Sequence, residues 1–242
     1  MGQKNKSLSD RIKRIDKSLV EYFGIPPRKK DLPDSVDMII ATILSQNTND
    51  NNSYKAYQNL KKRYKSWDNL LSARRTSIEK EIRVAGLAVQ KSKAIKEFIT
   101  NLFNKKNKIS LEHIVQMQDN EAIEELTKFK GVGVKTASCV LLFAEGRNIC
   151  PVDTHVHRTL NRIGVVNAAT PDKTFYKINE KFPLKIAHQF HTNLIRLGRE
   201  VCKSQNPSCG ICPLIRVCNY SDKVETNDRK SETKDFMLLD SV

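Results

Sequence analysis

Three groups of residues in this 242-residue chain are of types that do covalent or metal chemistry. In Phe129–Cys139, which reads FKGVGVKTASC, two glycines and then Lys135 stand directly before an apolar run. Further on, Asp153 in CPVDTHVHRTLNRIG precedes a helical pattern. Towards the C-terminus, CKSQNPSCGICPLIRVC holds Cys202, Cys209, Cys212 and Cys218 with the spacing C-x6-C-x2-C-x5-C. The first two groups suit chemistry at a sugar C1′, where an amine attacks and a carboxylate stabilises the positive charge that develops as the base leaves. Four thiolates in so short a loop suit closure around a metal.

Lys135 has three readings: phosphate clamp, solvated surface charge or nucleophile. Two phosphate motifs are excluded. A P-loop requires Gly immediately before its Lys, where Val134 stands. The dinucleotide fingerprint requires a third Gly at its sixth position, which Thr136 occupies. Both need a preceding strand, whereas DNEAIEELTKF reads as a helix, with Asn120 as cap and Ile123 and Leu126 at helical spacing.

The motif is therefore helix, tight glycine turn, helix. Gly131 and Gly133 admit backbone angles closed to other residues and let another backbone approach. The N–H groups that open the second helix, from Val134 on, lack intrahelical partners and offer a site for a phosphate oxygen. An ordinary αα corner is the alternative. The second helix, VKTASCVLLFA, is apolar on nearly every face, so it is buried and Lys135 lies at the edge of a core. Desolvation and the helix dipole both favour a neutral amine there. Taken alone, these local arguments still favour a surface charge.

The helix after Asp153 carries Val156, Leu160 and Ile163 on one face and ends at Gly164, so Asp153 reads as an N-cap. Capping and catalysis are compatible, because a cap fixes the carboxylate and leaves its second oxygen free. In the cysteine group only one C-x2-C knuckle is present, where structural zinc sites usually have two, and the unequal gaps suit an iron–sulfur cluster better. Cys139 and Cys150 fall outside this group, and Cys139, in the apolar helix, reads as a buried thiol.

Helices must position these residues. Gly and Pro are sparse and strand-like alternation is nearly absent. Val36, Ile39, Ile40, Ile43 and Leu44 follow i, i+3, i+4, i+7, i+8 after a cap at Asp34 or Ser35. Further helices are expected over 7–22, 53–64, 76–84, 91–104, 111–117, 120–129, 134–144, 154–163, 173–180 and 186–200. The fold class is all-α.

Lys and Arg number 42 against 27 Asp and Glu, a net charge of +15. Residues 222–242 hold four basic and six acidic side chains, which leaves +17 on residues 1–221. So basic a body implies a polyanionic partner, nucleic acid rather than a mere solubility device. No apolar run approaches the roughly 20 residues that span a bilayer. The start, MGQKNKSLSD, lacks the apolar core of a signal peptide, so a cytoplasmic chain with reduced thiols and no membrane partner is expected. The charged end beyond Cys218 is expected to be disordered, with FMLL as a partner-binding peptide or a plain apolar terminus.

Together KGVGVKTA, VDTHVHR and the cysteine spacing, in this order and at these distances, closely resemble the endonuclease III family of DNA glycosylases. That family is the iron–sulfur branch of the helix-hairpin-helix superfamily, and the resemblance covers about residues 30–220. It implies two all-α lobes: a six-helix barrel over 37–147, and a cluster lobe of residues 1–36 with 148–221, followed by a 222–242 tail. Double-stranded DNA would lie in the groove between them with the target nucleotide flipped out. In this superfamily a lysine after the hairpin marks members that nick the strand as well as cut the glycosidic bond. Lys135 would attack C1′, expel the base and hold the sugar as a Schiff base, and β-elimination of the 3′ phosphate would follow. Asp153 matches the catalytic aspartate, and Cys202, Cys209, Cys212 and Cys218 match the ligands of a structural [4Fe-4S] cluster.

The implied protein is a monomeric bifunctional DNA glycosylase and AP lyase of base excision repair, acting on damaged pyrimidines or abasic sites. Its DNA contacts would include the turn residues Gly131, Gly133 and Val134. Lys130 replaces the family's common Pro and adds a phosphate contact, while Lys203 is the only basic residue between Cys202 and Cys209. LSQNTNDNN matches a region whose amide side chain fills the hole left by the flipped nucleotide. Gln46 and Asn47 both fit, against a polar turn that merely ends its helix. GLAVQKSKA resembles the loop whose leucine wedges into the opposite strand, which makes Leu87 the candidate, against a plain buried leucine. Two rivals remain: a monofunctional glycosylase for adenine or thymine mismatches, and a non-enzymatic DNA-binding or redox-sensing protein that switches through its cluster.

Overall fold

The computed structural model describes residues 7–224, 239 and 241–242, and all its regular elements are helical. Most of the tail expected to be disordered, with all but the last residue of FMLL, lies outside the described residues. The described chain divides into two compact units, one of 7–27 with 148–224 and one of 28–147 with 239 and 241–242. The first division falls at 27/28, where the sequence suggested 36/37. Residues 28–36 belong to the second unit because Arg28 Nη2 donates to the Leu142 carbonyl (2.7 Å) and Asp34 caps its first helix.

The first unit opens with α1 (Leu8–Phe23), started by Ser7, whose hydroxyl accepts from the Asp10 amide at 3.2 Å. Ile12, Ile15 and Leu19 form its buried stripe.

The second unit is built on α2 (Ser35–Ser45), whose Asp34 cap accepts from the amides of Val36 (2.8 Å) and Asp37 (3.3 Å). Val36, Ile39, Ile40, Ile43 and Leu44 are all buried, as are Met38 and Ala41 between them, so this helix is wrapped by its neighbours. Each such aliphatic side chain removed from water contributes about 1.5–3 kcal/mol. Around it lie α3 (Asp50–Arg63), α6 (Ala88–Lys106) and α8 (Val134–Cys139), with α5 (Arg75–Ile82) packed on α3 and α6, and α7 (Asp119–Thr127) on α8. A one-turn α4 (Asn69–Ser72) was not expected; it buries only Leu70, too little for a period to register.

Two expected helices take another form. Over 111–117 only the 3-10 turn Glu112–Ile114 is present. The Arg147 guanidinium binds the carbonyls of Ile114 (2.6 Å), Val115 (3.2 Å) and Met117 (2.9 Å), at the end of this segment. The expected 134–144 helix is α-helical to Cys139 and then widens into a π turn over Val140–Ala144, closed by Glu145 N to Val140 O at 3.1 Å. Arg28 occupies the Leu142 carbonyl inside this turn.

The first unit is completed by α9 (Thr154–Ile163), α10 (Pro171–Asn179) and α11 (Ala187–Glu200). Helix α11 packs against both α1 and α9, and α10 against α9. The four-cysteine segment follows α11 and contains two 3-10 turns, Cys209–Ile211 and Ile215–Val217.

Candidate active site

The glycine turn joins α7 to α8. Phe129 and Val132 are buried and anchor it, with Phe129 edge-on to Phe98 at 5.3 Å between ring centres. Only one of the two glycines needs an unusual backbone. Gly131 has φ +86°, and a Cβ there would stand 3.5 Å from Ala94 Cβ, an ordinary contact. Gly133 has φ −92°, which any residue adopts, and a Cβ there would meet nothing within 4 Å. The expectation that both glycines use angles closed to other residues is therefore corrected for Gly133. Nothing inside the chain requires its lack of a side chain, so its value lies in leaving space beside the turn open.

Gly133 is the N-cap of α8, and no side chain caps this helix. Val134 and Lys135, in its first turn, are half-buried. Among the described residues no carboxylate pairs with the Lys135 ammonium. A lysine held at a core edge without a counter-ion is better suited to nucleophilic work than one locked in an ion pair. Lys130, by contrast, is a surface charge: its side chain is 72% exposed and pairs with Glu97 at 3.5 Å.

In the same unit, Gln46 and Asn47 follow α2 and are both exposed. Asn47 is left-handed, with φ +50°. Leu87, just before α6, is 47% exposed and also left-handed, with φ +47°. The plain buried leucine that competed with the wedge reading is not what the fold contains. A bulky exposed residue in this backbone region is an outlier of the kind that gathers at functional sites.

In the other unit Asp153 caps α9: its Oδ1 accepts from the Val156 amide at 2.8 Å. The second carboxylate oxygen has no partner among the described residues. Beside it, burial holds the His155 imidazole below its usual range against the opposing pull of the Asp153 charge. His155 packs so tightly on α11 that a Cβ at Gly198 would come within 2.8 Å of its own Cβ.

Helix α9 carries two arginines to which the sequence alone assigned no role. Arg158 donates to the carbonyls of Gly198 (Nη2, 2.8 Å) and Cys202 (Nη2, 3.0 Å; Nε, 3.2 Å). Arg162 donates to Lys203 O (2.6 Å), Ser204 O (2.9 Å) and Cys202 Sγ (3.6 Å), and its guanidinium lies 4.4 Å over the Tyr220 ring. The helix that Asp153 caps is thus tied directly to the start of the cysteine segment. Lys203 is half-buried, with its carbonyl taken by Arg162.

Cys202, Cys209, Cys212 and Cys218 are half-buried free thiols, while Cys139 and Cys150 are buried elsewhere. Burial raises the Cys202 and Cys212 thiols, Cys212 to about 12, and the other three cysteines add to the rise at Cys212. The four sulfurs are therefore within electrostatic reach of one another. Even so, among the described residues no three His, Cys, Asp or Glu side chains converge tightly enough to hold a single metal ion.

Helices joined through a glycine hairpin, a lysine behind it and a capping aspartate after it define an all-α helix-hairpin-helix protein. Residues 40–184 match the HhH-GPD superfamily base excision DNA repair proteins, and the chain belongs to this family. The matched region contains Lys135 and Asp153 and ends before the cysteine segment. The chain is similar to endonuclease III of Thermotoga maritima, 32% identical over 209 residues that cover 86% of this chain and 92% of the relative. It is also similar to a putative DNA glycosylase of Arabidopsis thaliana, 36% identical over 191 residues, or 74% of this chain and 65% of that longer relative. Its fold matches a trapped endonuclease III–DNA covalent intermediate with a TM-score of 0.74 and 26% identity, over 87% of this chain and 95% of that one. Among the described residues no helix is long and apolar enough to cross a membrane.

Proposed function

We propose that this chain is a bifunctional DNA glycosylase and AP lyase of base excision repair that removes oxidised pyrimidines from duplex DNA. The observation that carries the reading is Lys135, half-buried in the first turn behind the glycine hairpin, with no counter-ion among the described residues. Its amine adds to C1′ as the glycosidic bond breaks, the amine giving up a proton and the departing base taking one up. The sugar ring opens to an iminium on Lys135 Nζ, loss of a C2′ proton expels the 3′ phosphate, and water releases the product. The free oxygen of Asp153, whose partner oxygen is fixed by the Val156 amide, stabilises the positive charge that develops at the sugar. The open flank at Gly133 admits a phosphate, with Val134 at the helix start and Lys130 alongside. Gln46 or Asn47 fills the gap left by the flipped nucleotide and Leu87 wedges into the opposite strand. Residues 28–147 serve as the barrel lobe, and residues 7–27 with 148–221 as the cluster lobe.

Cys202, Cys209, Cys212 and Cys218 would hold a [4Fe-4S] cluster, which supplies rigidity to the loop carrying Lys203 and takes no part in the reaction. The similarity to endonuclease III and the C-x6-C-x2-C-x5-C spacing of the four cysteines support this assignment. Iron and acid-labile sulfide in the purified protein are expected; zinc without iron would refute it.

Borohydride reduction during turnover on duplexes bearing thymine glycol, dihydrouracil, uracil, 8-oxoguanine or an abasic site tests the reaction. Wild-type protein is expected to become covalently trapped on the oxidised pyrimidines and the abasic site, and Lys135→Gln is not. Turnover without trapping would establish the monofunctional alternative, and trapping retained in Lys135→Gln would remove Lys135 from the mechanism.

A further inference from the structure

Leu87 and Asn47 share an uncommon property: both are exposed and left-handed, yet they lie on turns 40 residues apart in the chain. Such conformations persist where the surroundings over-determine them. One side chain bonds to the backbone next to both turns. Lys91, one turn into α6, is only 2% exposed. Its Nζ donates to Leu44 O and to Ala85 O, each at 2.8 Å. Leu44 lies in the last turn of α2, two residues before Gln46, where carbonyls lack intrahelical partners. Ala85 ends the 3-10 turn Arg83–Ala85, immediately before Gly86 and Leu87.

One buried ammonium therefore finishes both turns from below. Among the described residues no carboxylate accompanies it, and burial pulls its pKa down to about 8. An apolar side chain here would avoid burying a cation but would leave the Leu44 and Ala85 carbonyls without this donor. The lysine is explained by what it holds in register.

We propose that Lys91 is a positioning residue for DNA engagement, bracing the Gln46–Asn47 turn against the Leu87 turn so that both present their side chains to the duplex together. This rests on the DNA-inserting roles given to those residues above. The geometry needs two N–H donors on one nitrogen, which the lysine head group has whether charged or neutral.

Three readouts on Lys91→Met test it: single-turnover base removal from a thymine-glycol duplex, fluorescence of 2-aminopurine beside the lesion as a report on unstacking, and nicking of an abasic site in single-stranded DNA, which has no partner strand to wedge. Duplex base removal and the fluorescence rise are expected to fall at least about tenfold, as misplacement of positioning groups by an ångström does. Single-strand nicking is expected to stay within about twofold of wild type. A parallel loss on both substrates, or no loss on the duplex, overturns the proposal. Lys91→Gln, which keeps amide donors able to reach one carbonyl, gives the same three readouts should the methionine variant fail to fold. A wild-type chain that nicks neither substrate refutes the lyase reading itself, and Leu87→Ala with full duplex activity refutes the inserting role on which Lys91 depends.

Discussion

The two hairpin glycines are expected to fail in opposite ways when given a methyl group. At Gly131 the added Cβ finds ordinary space, 3.5 Å from Ala94, but φ is +86°. An alanine there costs about 1–2 kcal/mol of backbone strain. At Gly133 φ is −92° and no atom lies within 4 Å of the new methyl. Alanine is a poorer N-cap than glycine, but it also restricts the unfolded chain by about 0.4–1 kcal/mol, so the two effects nearly cancel. Gly133→Ala is therefore expected to unfold within about 0.5 kcal/mol of wild type, while Gly131→Ala loses the full strain. Binding separates them again, because the Gly133 methyl projects into the space assigned to a phosphate. Loss of one such contact, at roughly 1.4 kcal/mol, weakens affinity about tenfold. Urea unfolding and titration of a duplex with an uncleavable abasic analogue, at fixed salt, measure both quantities. If Gly133→Ala binds as tightly as wild type, or is destabilised as much as Gly131→Ala, the argument from open space is wrong.

Asp153→Asn keeps a capping oxygen, so its stability should stay within about 0.5 kcal/mol of wild type while strand nicking is lost; Asp153→Ala should lose about 1 kcal/mol in addition. Equal nicking by Asp153→Asn and wild type would remove the carboxylate from catalysis. Arg162→Met deletes three donations to the cysteine segment and a ring contact, and should destabilise that segment by about 2–3 kcal/mol, read as faster amide hydrogen exchange there. Asp16 titrates above the usual carboxylate range because burial outweighs the hydrogen bond from Gln189. A pKa raised in the folded state means that its contribution is present in acid and lost as pH rises through that pKa. Asp16→Asn should accordingly raise the urea midpoint at pH 7 but not near pH 3, and no gain at pH 7 would contradict the assignment.

The sequence by itself determined most of the helices and the order of the site motifs, because both are local. The period of Val36 to Leu44, the cap at Asp153, and the order of glycine turn, lysine, aspartate and cysteines are all readable in short windows. Tertiary structure decided the rest. Over 111–117 only a 3-10 turn formed, and Arg147, about 30 residues away, binds the carbonyls at its end. The 134–144 helix widened where Arg28, 114 residues away, binds Leu142 O. Composition made the two hairpin glycines look alike, and only their backbone angles separated them. The sequence assigned no role to Arg158 or Lys91, and the fold set partners for them 44 and 47 residues away. A charged side chain's role is set by the acceptors that packing brings to it, and local spacing carries no record of those acceptors.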